Sequence, residues 1–481
     1  MPTKRERLTC GFDGQNTSRC GLFVPTSGDV CAVTQTPARA KPPTPNRRSD
    51  VDLTKAGSGP GWRAYLTALG PGLVTGASDD DPSGVATYSQ AGAQFGLGLL
   101  WVSLVSLPLM AGVQEICDRT ALTTGRGLGE LATEKFKART RPVLIVLISA
   151  LIVANALNIS ADLVAVGSGM NLLHAGPTWV WALVAGVAIT AMVIVGSFAQ
   201  IARVFKVICL ALLTYFAVLF SIHVNWGQVG LHTVVPHLQL NKTYLALLVA
   251  VLGTTISPYL FFWQSAHRLE ELRAEPEGGD QPVPLKQRDK VDARNKERTA
   301  RGDVFTGMAF SNAVMFAIIV ATATTLHGKT IKSAADAAAA LKPVAGHWSS
   351  VLFALGFIGT GMLAVPVLAG SGAAGMAGLL GKRWGFSRSV RKAPVFYGLV
   401  AVGTLGGTML SLASTNPIHL LVIVAVINGI AAAPFLLLVM LIARDAAIMG
   451  DYRNGKLANT LGWLAFAVMA VAAVVMLSQY L

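Results

Sequence analysis

Long apolar runs alternate with short polar ones from residue 65 almost to the end of the chain. A helix needs about twenty mainly apolar residues to cross the hydrocarbon core of a bilayer. Eleven stretches meet that length: 65–90, 97–117, 143–167, 178–196, 204–223, 244–266, 304–326, 348–378, 394–413, 418–442 and 458–479. Several begin or end at glycine, proline or a basic cluster, as helix ends do. The expected fold is an all-α polytopic membrane protein, with residues 63–481 forming one transmembrane domain. Residues 1–62 are polar, proline-rich and basic, without the apolar core of a secretory signal, and are expected to be a disordered cytoplasmic tail. The highly charged stretch 267–302 is expected to be a mobile, solvated cytoplasmic loop.

Composition supports the membrane reading. The chain is 53% hydrophobic and only 13% charged, against roughly 25% charged in a soluble domain. A net charge of +14 would suit a nucleic-acid binder, but the placement of the charges gives another cause. With the N-terminus inside and eleven alternating spans, all of the 39 Lys and Arg except Lys242, Lys329, Lys332 and Lys342 fall on the cytoplasmic side. That is the positive-inside pattern, and it points to a lipid bilayer as partner rather than nucleic acid. The expected location is a bacterial inner membrane, C-terminus outside. The five cysteines show neither a CxxC pair nor zinc-type Cys/His spacing; for the three in the N-terminal tail, Cys10, Cys20 and Cys31, unpaired thiols are expected ahead of a zinc or disulfide role.

Four acids fall inside the apolar runs: Asp79, Asp80, Asp81 and Asp162. No Lys or Arg is expected at the same depth. Charge at membrane depth is costly and faces a polar cavity or a partner, so acids without bases call for a cation, a proton or both. The first three acids lie in "TGASDDDPSGVA", where Pro82 lacks a backbone donor and disfavours helix at Asp81. A matching interruption lies in the sixth span, "LGTTISPYL", at Pro258. Broken helices at corresponding places in two halves point to a substrate site in inverted-repeat transporters. Spans one and six would open two five-helix repeats, with the eleventh span left over.

Several segments resemble the natural resistance-associated macrophage protein (NRAMP) family of divalent metal transporters. They are "LGPGL", "DPSG" with "ATYSQAGAQFGLGLLW", "TGRGLGEL", "GMNLL" and "PFLLLVMLIARDAAIMGDYRNGKLAN". The resemblance covers most of residues 62–479 and implies the LeuT-type fold, a 5+5 inverted repeat plus one helix, with helices 1 and 6 broken. It implies no enzyme activity and no resident cofactor; the divalent ion is cargo. Asp81 matches the family's metal-binding Asp, whereas Gly84 replaces its Asn, Thr254 stands at a carbonyl-donating alanine and Ser257 replaces its methionine. Val426 stands where a helix-ten glutamine can join, with Asn428 the nearest amide. Tyr259 and Gln264 occupy positions of two proton-handling histidines, and Asp162 that of a helix-three acid.

The donor set gives these departures a physical meaning. Thioether sulfur favours softer transition metals, whereas oxygen-only sites suit Mg²⁺, Ca²⁺ and Mn²⁺. A roomy, acidic, sulfur-free site fits a Mg²⁺ ion that keeps part of its water. Some family relatives lacking the usual ligands are magnesium transporters. Asp81 is expected as direct ligand, with Asp80 or Asp79 acting through water or on the cytoplasmic approach. With half of the family's proton route missing, coupling to H⁺ is expected to be weak or absent. The alternatives are a proton-coupled Mn²⁺/Fe²⁺ transporter, a sodium-coupled organic-solute symporter, a non-transporting sensor and an intramembrane aspartyl protease. The protease would need GxGD within a span, and the Gly-Asp pairs at 302–303 and 450–451 lie in expected loops. His174, His223, His232 and His237 are expected in outer loops without a metal, and Glu115 is expected to pair with a nearby Arg.

Overall fold

The structure, a computed structural model, describes residues 75–479 except 77, 137, 196–212, 276–277, 280, 330 and 414–416. The tail at 1–62, the start of the first expected span and the first part of the fifth therefore lie outside the described residues. Eleven helices carry the architecture. They are α1 (Pro82–Phe95), α2 (Trp101–Thr124), α3 (Arg141–Leu172), α4 (Thr178–Val195), α5 (Lys242–Thr255) and α6 (Pro258–Ala274). They continue with α7 (Lys290–Thr325), α8 (Ser349–Leu379), α9 (Pro394–Ser411), α10 (Pro417–Ala443) and α11 (Lys456–Leu477).

Among the described residues, eight helical stretches are long and apolar enough to span a membrane, counting α5 and α6 together; α1 with α2 could add a ninth. A 107° bend separates α1 from α2, at a short 3₁₀ turn, Gly96–Leu99. The sequence expectation placed two separate spans here.

The long helices α3 and α8 lie against each other through the centre, α7 runs beside α1, and α10 covers α5. Close approach comes from small residues. A Cβ on Gly76 would sit 2.2 Å from the Gly307 carbonyl oxygen, and one on Gly253 would sit 2.2 Å from that of Ala425. Backbones at such crossings touch directly, as small residues permit between membrane helices. Both elements drawn in this way, residues 75–79 and α5, lead into a chain break.

Two features correct the sequence reading. The stretch 267–302 is mostly helical: α6 continues to Ala274 and α7 begins at Lys290. Between them Arg288 binds Glu275 at 2.6 Å and Asp292 at 3.1 Å, and Lys296 pairs with the same Glu275. The second is Arg268, two residues beyond the expected sixth span, which is only 5% exposed. Hydropathy ended the second and sixth spans where charge begins, but the helices run on and bury those charges together.

Candidate functional site

Two two-residue breaks face each other. At the first, residues 75–79 are largely helical, Asp80 bends, and α1 starts at Pro82 with Asp81 as its N-cap. At the second, α5 stops at Thr255 and α6 starts at Pro258 with Ser257 as its N-cap. Proline suits the first turn because the missing N–H has no helical partner there. Asx and Ser residues suit the N-cap because their oxygens can take orphan amides. The cap chemistry differs between the two. Asp81 Oδ1 accepts from the Ser83 hydroxyl at 2.5 Å and from the Gly84 amide at 2.9 Å. The Ser257 hydroxyl turns the other way and donates to the carbonyls of Gly253 at 2.7 Å and Thr254 at 3.0 Å.

Tyr259, on the first turn of α6, ties the breaks together. Its hydroxyl lies 3.3 Å from Asp81 Oδ2 and 3.3 Å from the Ser78 carbonyl oxygen. Thr254 adds a second link by donating to the Tyr88 hydroxyl on α1 at 3.2 Å. Asp81, Thr254, Ser257 and Tyr259 are thus brought together. Gly84 contributes its amide to the Asp81 cap and offers no side chain.

The other two consecutive acids point elsewhere. Asp79 Oδ2 and Asp80 Oδ1 both lie near the Ser311 hydroxyl of α7, at 2.6 Å and 3.2 Å. Gly76 and Gly307 explain the placement. Their backbone contact lies one helical turn before Asp79 and Asp80 on one chain segment and before Ser311 on the other. A single hydroxyl proton cannot serve both acids. Asp79 Oδ1 and Asp80 Oδ2 are buried without a hydrogen-bond partner. Asp162, in the middle of α3, is fully buried with both carboxylate oxygens unpartnered, and its backbone carbonyl lies beside Gly361 of α8, which also borders Pro82. None of these four acids forms an ion pair among the described residues. Buried carboxylates require a proton, a cation or hydrogen bonds.

Gln264 belongs to a different network. Its amide donates to Asp118 Oδ1 at 2.7 Å, and its oxygen lies 2.5 Å from the Thr75 hydroxyl. Arg268 Nε binds the same Asp118 oxygen at 2.7 Å, and Arg268 reaches Asp303 at 3.4 Å and Glu271. This chain joins residue 75 with α2, α6 and α7 at the end that carries the basic loops. Sequence reasoning missed Asp118, Arg268, Asp303 and Ser311. The first three lie one or two residues beyond the expected span limits, and complementary charge at three neighbouring span ends was the available signal. Ser311 carried no signal at all.

Other expectations resolve simply. Glu115 pairs with Arg119 at 2.9 Å. Asn428 turns to Asn158 of α3, and the two amides exchange reciprocal bonds of 3.0 Å. Cys117 is a buried free thiol; the other cysteines lie outside the described residues. His223, His232 and His237, with His327, line a cavity of about 370 Å³. Among the described residues no group of three or more His, Cys, Asp or Glu is arranged to hold a metal ion.

Residues 72–479 match the natural resistance-associated macrophage protein-like family. The chain belongs to that family. NRAMP relatives include the divalent metal cation transporter MntH of Acidiphilium cryptum, 28% identical over 404 residues, covering 81% of this chain and 85% of the relative. MntH of Ralstonia nicotianae is 27% identical over 431 residues, covering 86% and 91%. The crystal structure of the Eremococcus coleocola manganese transporter in complex with an aromatic bis-isothiourea substituted compound shares the fold. It has a TM-score of 0.66 and 16% identity, with 87% of each chain covered. This NRAMP-family chain is an integral membrane protein of a transporter family, not an enzyme.

Proposed function

We propose that this protein moves divalent metal cations across a bacterial inner membrane, at a site of oxygen ligands between the two helix breaks. The carrying observation is that buried Asp81, Asp79, Asp80 and Asp162 have no cationic partner among the described residues while the breaks face each other across Tyr259. Charge that the fold leaves uncompensated is charge for a mobile ion to balance. Asp81 Oδ2, with backbone carbonyls around Ser257, is the direct ligand set, and Asp79 and Asp80 form the approach on the α7 side. Thr254 and Ser257 bring oxygen where a softer site would bring sulfur, so the preference runs to hard ions, Mg²⁺ before Mn²⁺. The full membrane domain has eleven spans in a 5+5 inverted repeat plus one, N-terminus cytoplasmic and C-terminus outside. Proton coupling is weak or absent because Tyr259 and Gln264 are committed to hydrogen bonds and do not titrate near neutral pH.

The test is uptake into proteoliposomes of Mg²⁺, Mn²⁺, Ca²⁺, Fe²⁺ and Cd²⁺ in parallel, with lumenal pH recorded. Hard-ion uptake without a fixed proton count supports the reading, and soft-ion preference overturns it. A second reading, proton-coupled Mn²⁺/Fe²⁺ transport, is favoured by Asp162, whose unpartnered oxygens could hold a proton. Metal-dependent acidification that disappears in Asp162→Asn would establish it.

A further inference from the structure

The basic end of the molecule contains a cavity of about 540 Å³ far in character from the acidic centre. Its walls carry Arg126, Arg273, Lys382, Arg383 and Arg388, and one acid, Glu130. Small-molecule sites have volumes of roughly 300–1,000 Å³, so the space suits a compact ligand. The acid is already engaged, since Glu130 accepts from the Trp384 indole at 2.7 Å.

A basic cytoplasmic face alone would follow from membrane topology. The convergence of its charges distinguishes this cavity, although Arg126 also pairs with Glu134 and Arg273 with Glu270. Other cations on the same end also meet acids: Arg119 with Glu115, Lys135 with Asp445, Arg268 with Asp118, Arg288 with Glu275 and Arg301 with Glu297. Lys382 and Arg383 form no ion pair among the described residues, and with Arg126, Arg273 and Arg388 they bring five cations from three segments into one cavity. The segments are the loop after α2, the end of α6 and the loop after α8.

The arrangement is built rather than incidental. Arg273 stacks on the Trp384 ring with its guanidinium carbon 4.6 Å from the centroid, and it donates to the Trp384 carbonyl at 3.2 Å. Gly385 permits this approach. It has φ of 123°, and a Cβ there would sit 2.0 Å from Glu270 Oε1. The loop after α8 is therefore fastened to α6, the second half of the broken helix.

We propose that this cavity binds a phosphate-bearing anion, either a soluble polyphosphate or the headgroup of an anionic lipid. Guanidinium forks match phosphate oxygens in geometry and charge. The bound anion would bridge the loop after α8 to α6.

The experiment uses the full chain in phosphatidylcholine nanodiscs and metal-free buffer, so that chelation of transported ions plays no part. Titration with inorganic pyrophosphate or ATP is followed by calorimetry. Saturable binding is expected, weakened roughly tenfold or more in Lys382→Gln/Arg383→Gln and in high salt. The paired control Lys290→Gln/Arg294→Gln, on the exposed start of α7, is expected to bind as the unaltered chain does. A second arm measures retention of phosphatidylglycerol by native mass spectrometry. Retention that the first double variant loses, with no effect of soluble phosphates, assigns the site to a lipid headgroup. Binding of neither probe, or equal binding by the unaltered chain and Lys382→Gln/Arg383→Gln, overturns the proposal. Both substituted side chains are exposed, and unchanged thermal unfolding checks that the variant is folded.

Discussion

The centre of the molecule and its basic end both bury acids, and they treat them in opposite ways. At the centre, Asp79, Asp80 and Asp81 have only hydroxyls and one backbone amide, Asp162 has neither, and no cation among the described residues meets any of them. At the basic end, Asp118 and Asp303 share the Arg268 guanidinium. Desolvating a charge is expensive, and the expense is recovered only by a close opposite charge with good hydrogen bonds. A fixed arginine satisfies that need permanently. A site left without one is satisfied only by something that arrives. The difference separates acids that hold structure from acids that handle cargo, although both are buried and both lie on helices.

The comparison can be broken most forcefully at Asp81. Asp81→Asn keeps an N-cap side chain of nearly equal quality but removes the charge. Uptake is expected to fall by about two orders of magnitude, the effect of losing roughly 3 kcal/mol of ion binding, while the thermal midpoint stays put. Normal uptake by this variant would remove Asp81 from the ion path. The reverse pattern is expected at Arg268. Arg268→Ala removes the cation that two buried carboxylates share and should cost about 3–5 kcal/mol of stability, read by thermal unfolding in detergent. Adding Asp118→Asn and Asp303→Asn to that variant should return much of the loss, and no return would mean that packing, not charge, sets its value.

Two smaller effects sharpen the contrast. Ser257→Met offers sulfur beside Asp81 and is expected to shift the Cd²⁺:Mg²⁺ uptake ratio by about tenfold, equivalent to 1.4 kcal/mol; an unchanged ratio would defeat the ligand-hardness argument. The smallest effect lies at the surface pair Lys135–Asp445, 2.5 Å apart. The hydrogen bond from Lys135, aided by the Ala447 and Ile448 amides, holds the Asp445 carboxyl below its ordinary range. Its folded pKa is depressed, so the stabilisation is complete above the unfolded value near 4 and is lost as pH falls through the folded value. Lys135→Met should lower the thermal midpoint slightly at neutral pH, with the difference narrowing below about pH 4. A difference that grows on acidification would reverse the sign.

Much of this was legible in the sequence because it rests on local rules. Apolar length marked the described spans, and Asp81-Pro82 and Ser257-Pro258 announced both breaks, each with a cap residue before a proline. The three adjacent acids were conspicuous, but their division was not. Which of them faces α6 and which faces α7 depends on a crossing between residues more than 200 positions apart. The Asp118–Arg268–Asp303 cluster was hidden for another reason. Hydropathy windows end where charge appears, so charges that neutralise one another inside a bundle are read as loop. The Asn428 amide, nearest to the position where a helix-ten glutamine can join, exchanges hydrogen bonds with Asn158, a pairing that no local rule announces.

The contact between Gly76 and Gly307 also limits how this lineage can vary. An added methyl group on Gly76 would lie 2.2 Å from a backbone oxygen, so even alanine would force the segments apart. Ser311 would then move away from Asp79 and Asp80, and the acids would lose their shared hydroxyl without any change to themselves. Substitutions at the two glycines and at the acid pair should therefore be inherited as a block, with the history of the acids written partly in residues that carry no charge.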